Sequence, residues 1–157
     1  MLAYVFWHRP RPEIEASEYE DAQRGFHDRL GTESACFRLA ALPFDPGPGY
    51  EDWYLVGDWA ALGDLNVEAI DRPRRAAHDR AAGGMGAGWG AVYALLDGPE
   101  EIPAGVEWVE KPRGLGTDEF VARYPGRSVW RRQMVLGPGA SHCVDAEPSE
   151  SREPVWP

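Results

Sequence analysis

The chain has 157 residues, of which 43% are hydrophobic and 11% aromatic, enough for one domain or for two small halves sharing a core. Its net charge of −10 repels phosphate backbones and anionic bilayers, which argues against nucleic-acid and membrane partners. No window reaches the roughly 20 apolar residues of a membrane span.

The N-terminus, Met1-Leu2-Ala3-Tyr4-Val5-Phe6-Trp7-His8, has no basic leader and reads as a first strand rather than a secretion signal. Cys36 and Cys143 lie far apart with no CxxC spacing, which argues against a zinc site or a disulfide scaffold. A cytoplasmic protein with two free thiols is the expectation. Strand alternation puts Tyr4, Phe6 and His8 on one face and Ala3, Val5, Trp7 and Arg9 on the other. Pro10 and Pro12 stop this strand. A helix follows, capped by Ser17, with Tyr19, Ala22, Phe26 and Leu30 at spacings of three and four, and ended by Gly31. Residues 34–42 predict a second strand, 43–49 a Pro/Gly loop, and 52–59 a third strand. Residues 60–82 predict a helix interrupted near Asp71-Arg72-Pro73. Residues 83–88 form a glycine-rich connection without GxGxxG spacing or a lysine, so no phosphate cradle is expected there. Residues 89–96 predict a fourth strand.

This order, β-α-β-β-α-β, is that of the ferredoxin-like split unit, and the fold class is α+β. Residues 1–98 would form that complete unit. Residues 99–145 read as a shortened second repeat. Trp108-Val109-Glu110-Lys111-Pro112-Arg113 leading to Thr117-Asp118-Glu119-Phe120 parallels Phe6-Trp7-His8-Arg9-Pro10-Arg11 leading to Ser17-Glu18-Tyr19. Residues 129–138 parallel residues 36–43 of the second strand, and Ser141-His142-Cys143-Val144 stands for the third. Residues 146–157 read as a loose acidic, proline-containing tail. One full unit plus a partial one predicts an α/β barrel, closed within one chain as a pseudo-dimer or completed by a homodimer, with a small-molecule cavity between the sheets or between sheet and helices.

His78-Asp79 follows the basic run Arg72, Arg74 and Arg75 on the interrupted helix. Helix neighbours point about 100° apart, so one of the pair would line a pocket and the other face solvent or orient a partner. His78 is a candidate general base or axial iron ligand, because imidazole titrates near neutral pH and binds metals. The plainer reading is a helix-end surface histidine. His8 shares a face with Tyr4 and could meet His78 across the helix–sheet boundary, or simply end its strand half-exposed. Trp53 and Tyr93 are expected to shape the cavity with Tyr4. Asn66 could aim its amide at a ligand or bond within the helix–loop region. Of Arg131 and Arg132, one points each way, and Arg132 is the candidate to hold a carboxylate or phenolate, or to pair with an acid such as Asp58. Glu51-Asp52 is read as a solvated strand-start pair, alternatively as an acid or base at a pocket mouth. His27 is expected at the surface, and His142 could line a second-half cavity.

These residues resemble the dimeric α/β-barrel superfamily, which includes EthD-like proteins, antibiotic-biosynthesis monooxygenases and heme-degrading monooxygenases. The EthD-like resemblance rests on Phe6-Trp7-His8-Arg9-Pro10 and on Glu110-Lys111-Pro112-Arg113-Gly114-Leu115 with Asp118-Glu119-Phe120. The monooxygenase resemblance rests on residues 52–59, the following helix and Arg75-Ala76-Ala77-His78. In heme-degrading members a helix histidine binds the iron, a place that His78 occupies. Those members carry an asparagine on the first strand, where this chain has His8. The chain is also similar to uncharacterised bacterial proteins carrying Trp-Tyr-Leu-Val and a His-Asp pair. The resemblance implies a cofactor-independent monooxygenase or cyclase acting on an aromatic or polyketide-like substrate through His78, Asp79 and His8. A heme protein ligated by His78 and a non-catalytic binding or assembly module are the alternatives.

Overall fold

The computed structural model describes residues 1–71, 73–135 and 138–157. Arg72 of the basic run, and Leu136 and Gly137 at the end of the Val129 strand, lie outside the described residues. In chain order the elements are β1 (Leu2–Pro10), α1 (Ala16–His27), β2 (Ser34–Leu39), β3 (Gly49–Val56), α2 (Trp59–Ile70), α3 (Arg75–Gly84), β4 (Met85–Asp97), β5 (Gly105–Val109), α4 (Thr117–Val121), β6 (Val129–Val135), β7 (His142–Ala146) and β8 (Arg152–Trp156). The strands form one curled antiparallel sheet in the order β5-β7-β6-β4-β1-β3-β2-β8. The chain is therefore α+β with a barrel-like sheet.

The two faces of the sheet do different jobs, and alternation assigns every residue to one of them. On the inner face of the curl, Trp7, Trp53, Tyr93 and Trp130 are fully buried. Trp108 of β5 packs on Trp7 at 5.0 Å and on Tyr93 at 5.4 Å between ring centroids. One buried charge sits among them. The Glu51 carboxylate accepts hydrogen bonds from the Trp7 and Trp53 indoles, each at 2.8 Å, and from Arg152 Nε at 3.1 Å. Arg152 also donates to the Pro103 and Ala104 carbonyls, just before β5. It thereby ties β8, at one end of the sheet, to the start of β5 at the other. A carboxylate so deep in apolar surroundings is tolerable only because three hydrogen bonds and a countercharge meet it.

The other face carries Tyr4, Phe6 and His8 from β1 and Tyr50, Asp52 and Tyr54 from β3, with α1, α2 and α3 lying over it. Here β4 contributes glycines. A Cβ on Gly88 would come within 2.4 Å of the Phe6 ring, and one on Gly90 within 2.9 Å of Tyr4. Side chains are omitted where these rings lie across the neighbouring strand.

Several sequence expectations need correction. Residues 146–157 are not wholly a loose tail, because β8 pairs antiparallel with β2. Pro154 is tolerated there because β8 is an edge strand. The glycine-rich connection is short: Gly84 ends α3, and Met85 already begins β4. Ser17 does not cap α1, which starts at Ala16 after Glu15 and ends at His27 rather than at Gly31. Asp58 does not pair with Arg132; it caps α2, its carboxylate accepting from the Ala61 amide at 2.9 Å. No helix among the described residues is long and apolar enough to cross a membrane.

Candidate functional site

A cavity of about 590 Å³ lies between the helix-side face of the sheet and the three helices. Its walls are apolar: Phe26 of α1 and Leu30 just after it, Leu62, Leu65 and Ala69 of α2, Ala81 of α3, and Val92 and Met134 from the sheet. Its floor is polar and buried, and it is built by strand register. Across β1 and β3, Phe6 faces Asp52 and His8 faces Tyr50; across β2 and β3, Cys36 faces Asp52. Asp52 is thus the centre of the floor.

Helix α1 supplies the roof of that polar cluster. Its buried stripe of Tyr19, Ala22, Gln23, Phe26 and His27 has helical spacing and faces the sheet. The Tyr19 hydroxyl lies 2.5 Å from His8 Nδ1. The other nitrogen of that ring, Nε2, lies 3.1 Å from Asp52 Oδ2. His27 Nε2 lies 3.4 Å from Asp52 Oδ1, and its Nδ1 lies 2.9 Å from the Ser34 hydroxyl. The Tyr54 hydroxyl donates to Asp52 Oδ2 at 2.8 Å. Stacking fixes both imidazoles: His8 lies between Phe6 and Tyr50, each 5.6 Å away, and His27 lies flat on Tyr54 at 5.2 Å.

The electrostatics follow from burial around one charge. Burial by itself raises the Asp52 carboxyl, and His8 and His27 more than reverse this, holding it well below the usual carboxylate range. Burial, reinforced by the Asp52 charge, pushes the Tyr19 and Tyr54 phenols and the Cys36 thiol upward. The same two causes push Tyr4 up to about 12. The phenols around the floor are therefore neutral hydrogen-bond donors at physiological pH.

The sequence candidates divide between the two faces. Tyr4, His8, Asn66 and His78 all line the cavity. His78 sits on α3 against Phe26, its side chain one-third exposed, with Nδ1 3.2 Å from Asp79 Oδ1. Asp79 itself is 61% exposed and also approaches Arg75. His78 thus lines the cavity and Asp79 faces solvent, and the two side chains come together outside the helix. Trp53 and Tyr93 do not shape this cavity. They alternate with Tyr54 and Val92 and so point into the filled inner face. Arg132 does not reach it either; its guanidinium donates to the Gly139 carbonyl. His142 packs on Phe120 at 4.6 Å, away from the cavity lining.

Sequence reasoning missed the centre of the site. Asp52 is only 2% exposed, not a solvated strand-start acid, and His27 is buried rather than at the surface. A signal existed for both. Asp52 lies between Tyr50 and Tyr54 on a strand whose two faces are each aromatic, and His27 falls on the stripe set by Tyr19, Gln23 and Phe26. A heme does not fit the residues present. Among the described lining residues there is no lysine or arginine to meet its propionates, and the floor is a buried carboxylate. No protein-family model matches the chain, and no curated protein or solved structure matches it either.

Proposed function

We propose that the chain is a small-molecule enzyme acting by acid–base chemistry on a flat, largely apolar substrate of aromatic or polyketide-like type that carries a carbonyl or phenol. The observation behind this reading is helix α2. Its sequence, WAALGDLNVEAI, is mostly apolar, yet none of its residues is buried, and it lies over a cavity with apolar walls and an ionisable floor. An apolar helix gains stability only by covering apolar surface. A bound hydrophobic molecule would supply that surface.

Each residue has a role in this reading. The substrate oxygen reaches the floor, where the Tyr19 hydroxyl, held by His8, donates a hydrogen bond. That bond strengthens as negative charge develops on the oxygen. His78, whose Nδ1 is engaged by Asp79, presents Nε2 as the acceptor for a proton lost from the substrate carbon or hydroxyl. Asn66 hydrogen-bonds a polar substituent near the mouth. The resulting enolate or phenolate is the electron-rich species from which ring closure or cofactor-independent oxygenation starts.

The architecture that goes with this reading is a ferredoxin-like unit over residues 1–98 and a shortened repeat over 99–145. Two facts support it: the order β4-β1-β3-β2 of the first four strands, and the order β5-β7-β6, which repeats that of β1-β3-β2. The tie from Arg152 to the segment before β5 favours a barrel of the dimeric α/β type closed within one chain.

The test is α-proton exchange of 2-tetralone and related aromatic ketones in deuterium oxide, followed by proton NMR. The protein should accelerate exchange above buffer, and His78→Ala and Tyr19→Phe should each slow it by roughly 100-fold, the usual scale for one acid–base group. Ketones that bind in the cavity without accelerated exchange would point to a binding module instead.

A further inference from the structure

We propose that the cavity floor holds one divalent transition-metal ion of the zinc or ferrous-iron class, ligated by His8 Nε2, Asp52 and Cys36 Sγ, with its remaining position open to the cavity. The proposal goes beyond the enzymatic reading and does not depend on it.

The donor atoms of His8, Cys36 and Asp52 all lie within 4.8 Å of one another, and all three residues are buried. Donors on a tetrahedral ion sit about 3.3–3.7 Å apart at ordinary Zn–N and Zn–S lengths, so a closure of about 1 Å completes the site. A second observation points to the same spot. His8 Nε2, His27 Nε2 and Asp52 Oδ1 are buried without a hydrogen-bond partner among the described residues. The approaches of 3.1 Å and 3.4 Å between the imidazoles and Asp52 are ion-pair contacts that miss hydrogen-bond geometry. Buried polar atoms left in this way cost stability unless something else meets them. A cation between His8 Nε2 and Asp52 Oδ2 would meet the first, and would leave Asp52 Oδ1 to His27 Nε2–H.

The surroundings match what ligating histidines need. His8 Nδ1 is engaged by Tyr19 and so leaves Nε2 for the metal. With Nε2 on the ion, Nδ1–H donates to the Tyr19 oxygen, and the Tyr19 proton is free to turn toward the cavity. One imidazole, one thiol and one carboxylate suit zinc or iron rather than magnesium or calcium, which prefer all-oxygen shells. Binding releases the Cys36 thiol proton to solvent and leaves a thiolate–metal bond. Sequence spacing could not reveal this site, because its ligands lie 16 to 44 residues apart in the chain.

The test uses the 157-residue chain, freed of metal by chelation and titrated with Co²⁺. The expected result is one equivalent bound, with visible d–d bands and a near-ultraviolet thiolate-to-cobalt charge-transfer band. Cys36→Ser should remove the charge-transfer band and Cys143→Ser should keep it. Tyr19→Phe should weaken binding roughly 10-fold or more. Circular dichroism and thermal melts of each variant separate lost ligation from lost folding. Conservative His8→Gln, if folded, should no longer take up one equivalent. Failure of the folded wild-type chain to bind Co²⁺ or Zn²⁺, or a charge-transfer band surviving Cys36→Ser, would overturn the proposal. Ketone exchange that persists in chelated protein, with no metal uptake, would sink the metal site and leave the enzymatic reading standing.

Discussion

The Tyr19 hydroxyl and His8 Nδ1 lie 2.5 Å apart, both buried, and they join the first helix to the first strand across the cavity floor. Removing the hydroxyl leaves a buried ring nitrogen without its partner. Tyr19→Phe should therefore cost about 1–3 kcal/mol of unfolding free energy, measured by urea denaturation. An unchanged midpoint would mean that water replaces the hydroxyl freely and that the floor is wet.

The Glu51–Arg152 pair gives a second prediction. Arg152→Met leaves Glu51 charged, fully buried and short of a countercharge. The loss should be about 3–5 kcal/mol. Adding Glu51→Leu to that variant should recover much of it, because the penalty lies in the stranded charge. A double variant no better than the single one would show that the two indole hydrogen bonds to Glu51 matter more than the ion pair.

The glycines of β4 give a third. At Gly88 a methyl group meets the Phe6 ring at 2.4 Å, too close for any side chain to accept without movement. Gly88→Ala should lower stability by about 1–3 kcal/mol through overpacking. It should also weaken ligand binding, since Phe6 lines the cavity. Gly63, whose added Cβ meets no atom within 4 Å, is the control. Gly63→Ala should raise thermal stability slightly, because alanine is the better helix former.

The fourth concerns α2. With no residue buried, it should open at a much lower free energy than β1 or β3. Native-state hydrogen exchange by mass spectrometry should find its amides least protected among the long elements, and should find them slowed when an aromatic ketone is added. Equal protection of α2 and β3 without ligand would contradict the idea that this helix is only partly packed.

Periodicity made most of the elements legible. The alternation of Tyr4, Phe6 and His8 assigned a shared face, and residues 60–82 hold two helices, one ending at Ile70 and the next starting at Arg75. What it could not supply was which face of each strand is hollow. Every residue of β3 is buried, so Trp53 and Tyr54 look alike in sequence, although one fills the core and the other borders the cavity. The same limit hid Asp52: a strand buried on both sides gives no local sign that its acids are buried too. Residues 152–156 were illegible for a different reason. Arg-Glu-Pro-Val-Trp has the composition of a tail, and only pairing with the distant β2 makes it a strand. The burial of His27 is legible, since it falls on the same stripe as Tyr19, Gln23 and Phe26.

A crystal structure of the protein soaked with 2-tetralone tests the central claim most directly. The account predicts density beneath α2, between Leu65 and the Tyr4 and Phe6 rings, with the ketone oxygen about 3 Å from the Tyr19 hydroxyl. Density elsewhere, or α2 collapsed onto the sheet with no room for a ligand, would contradict it.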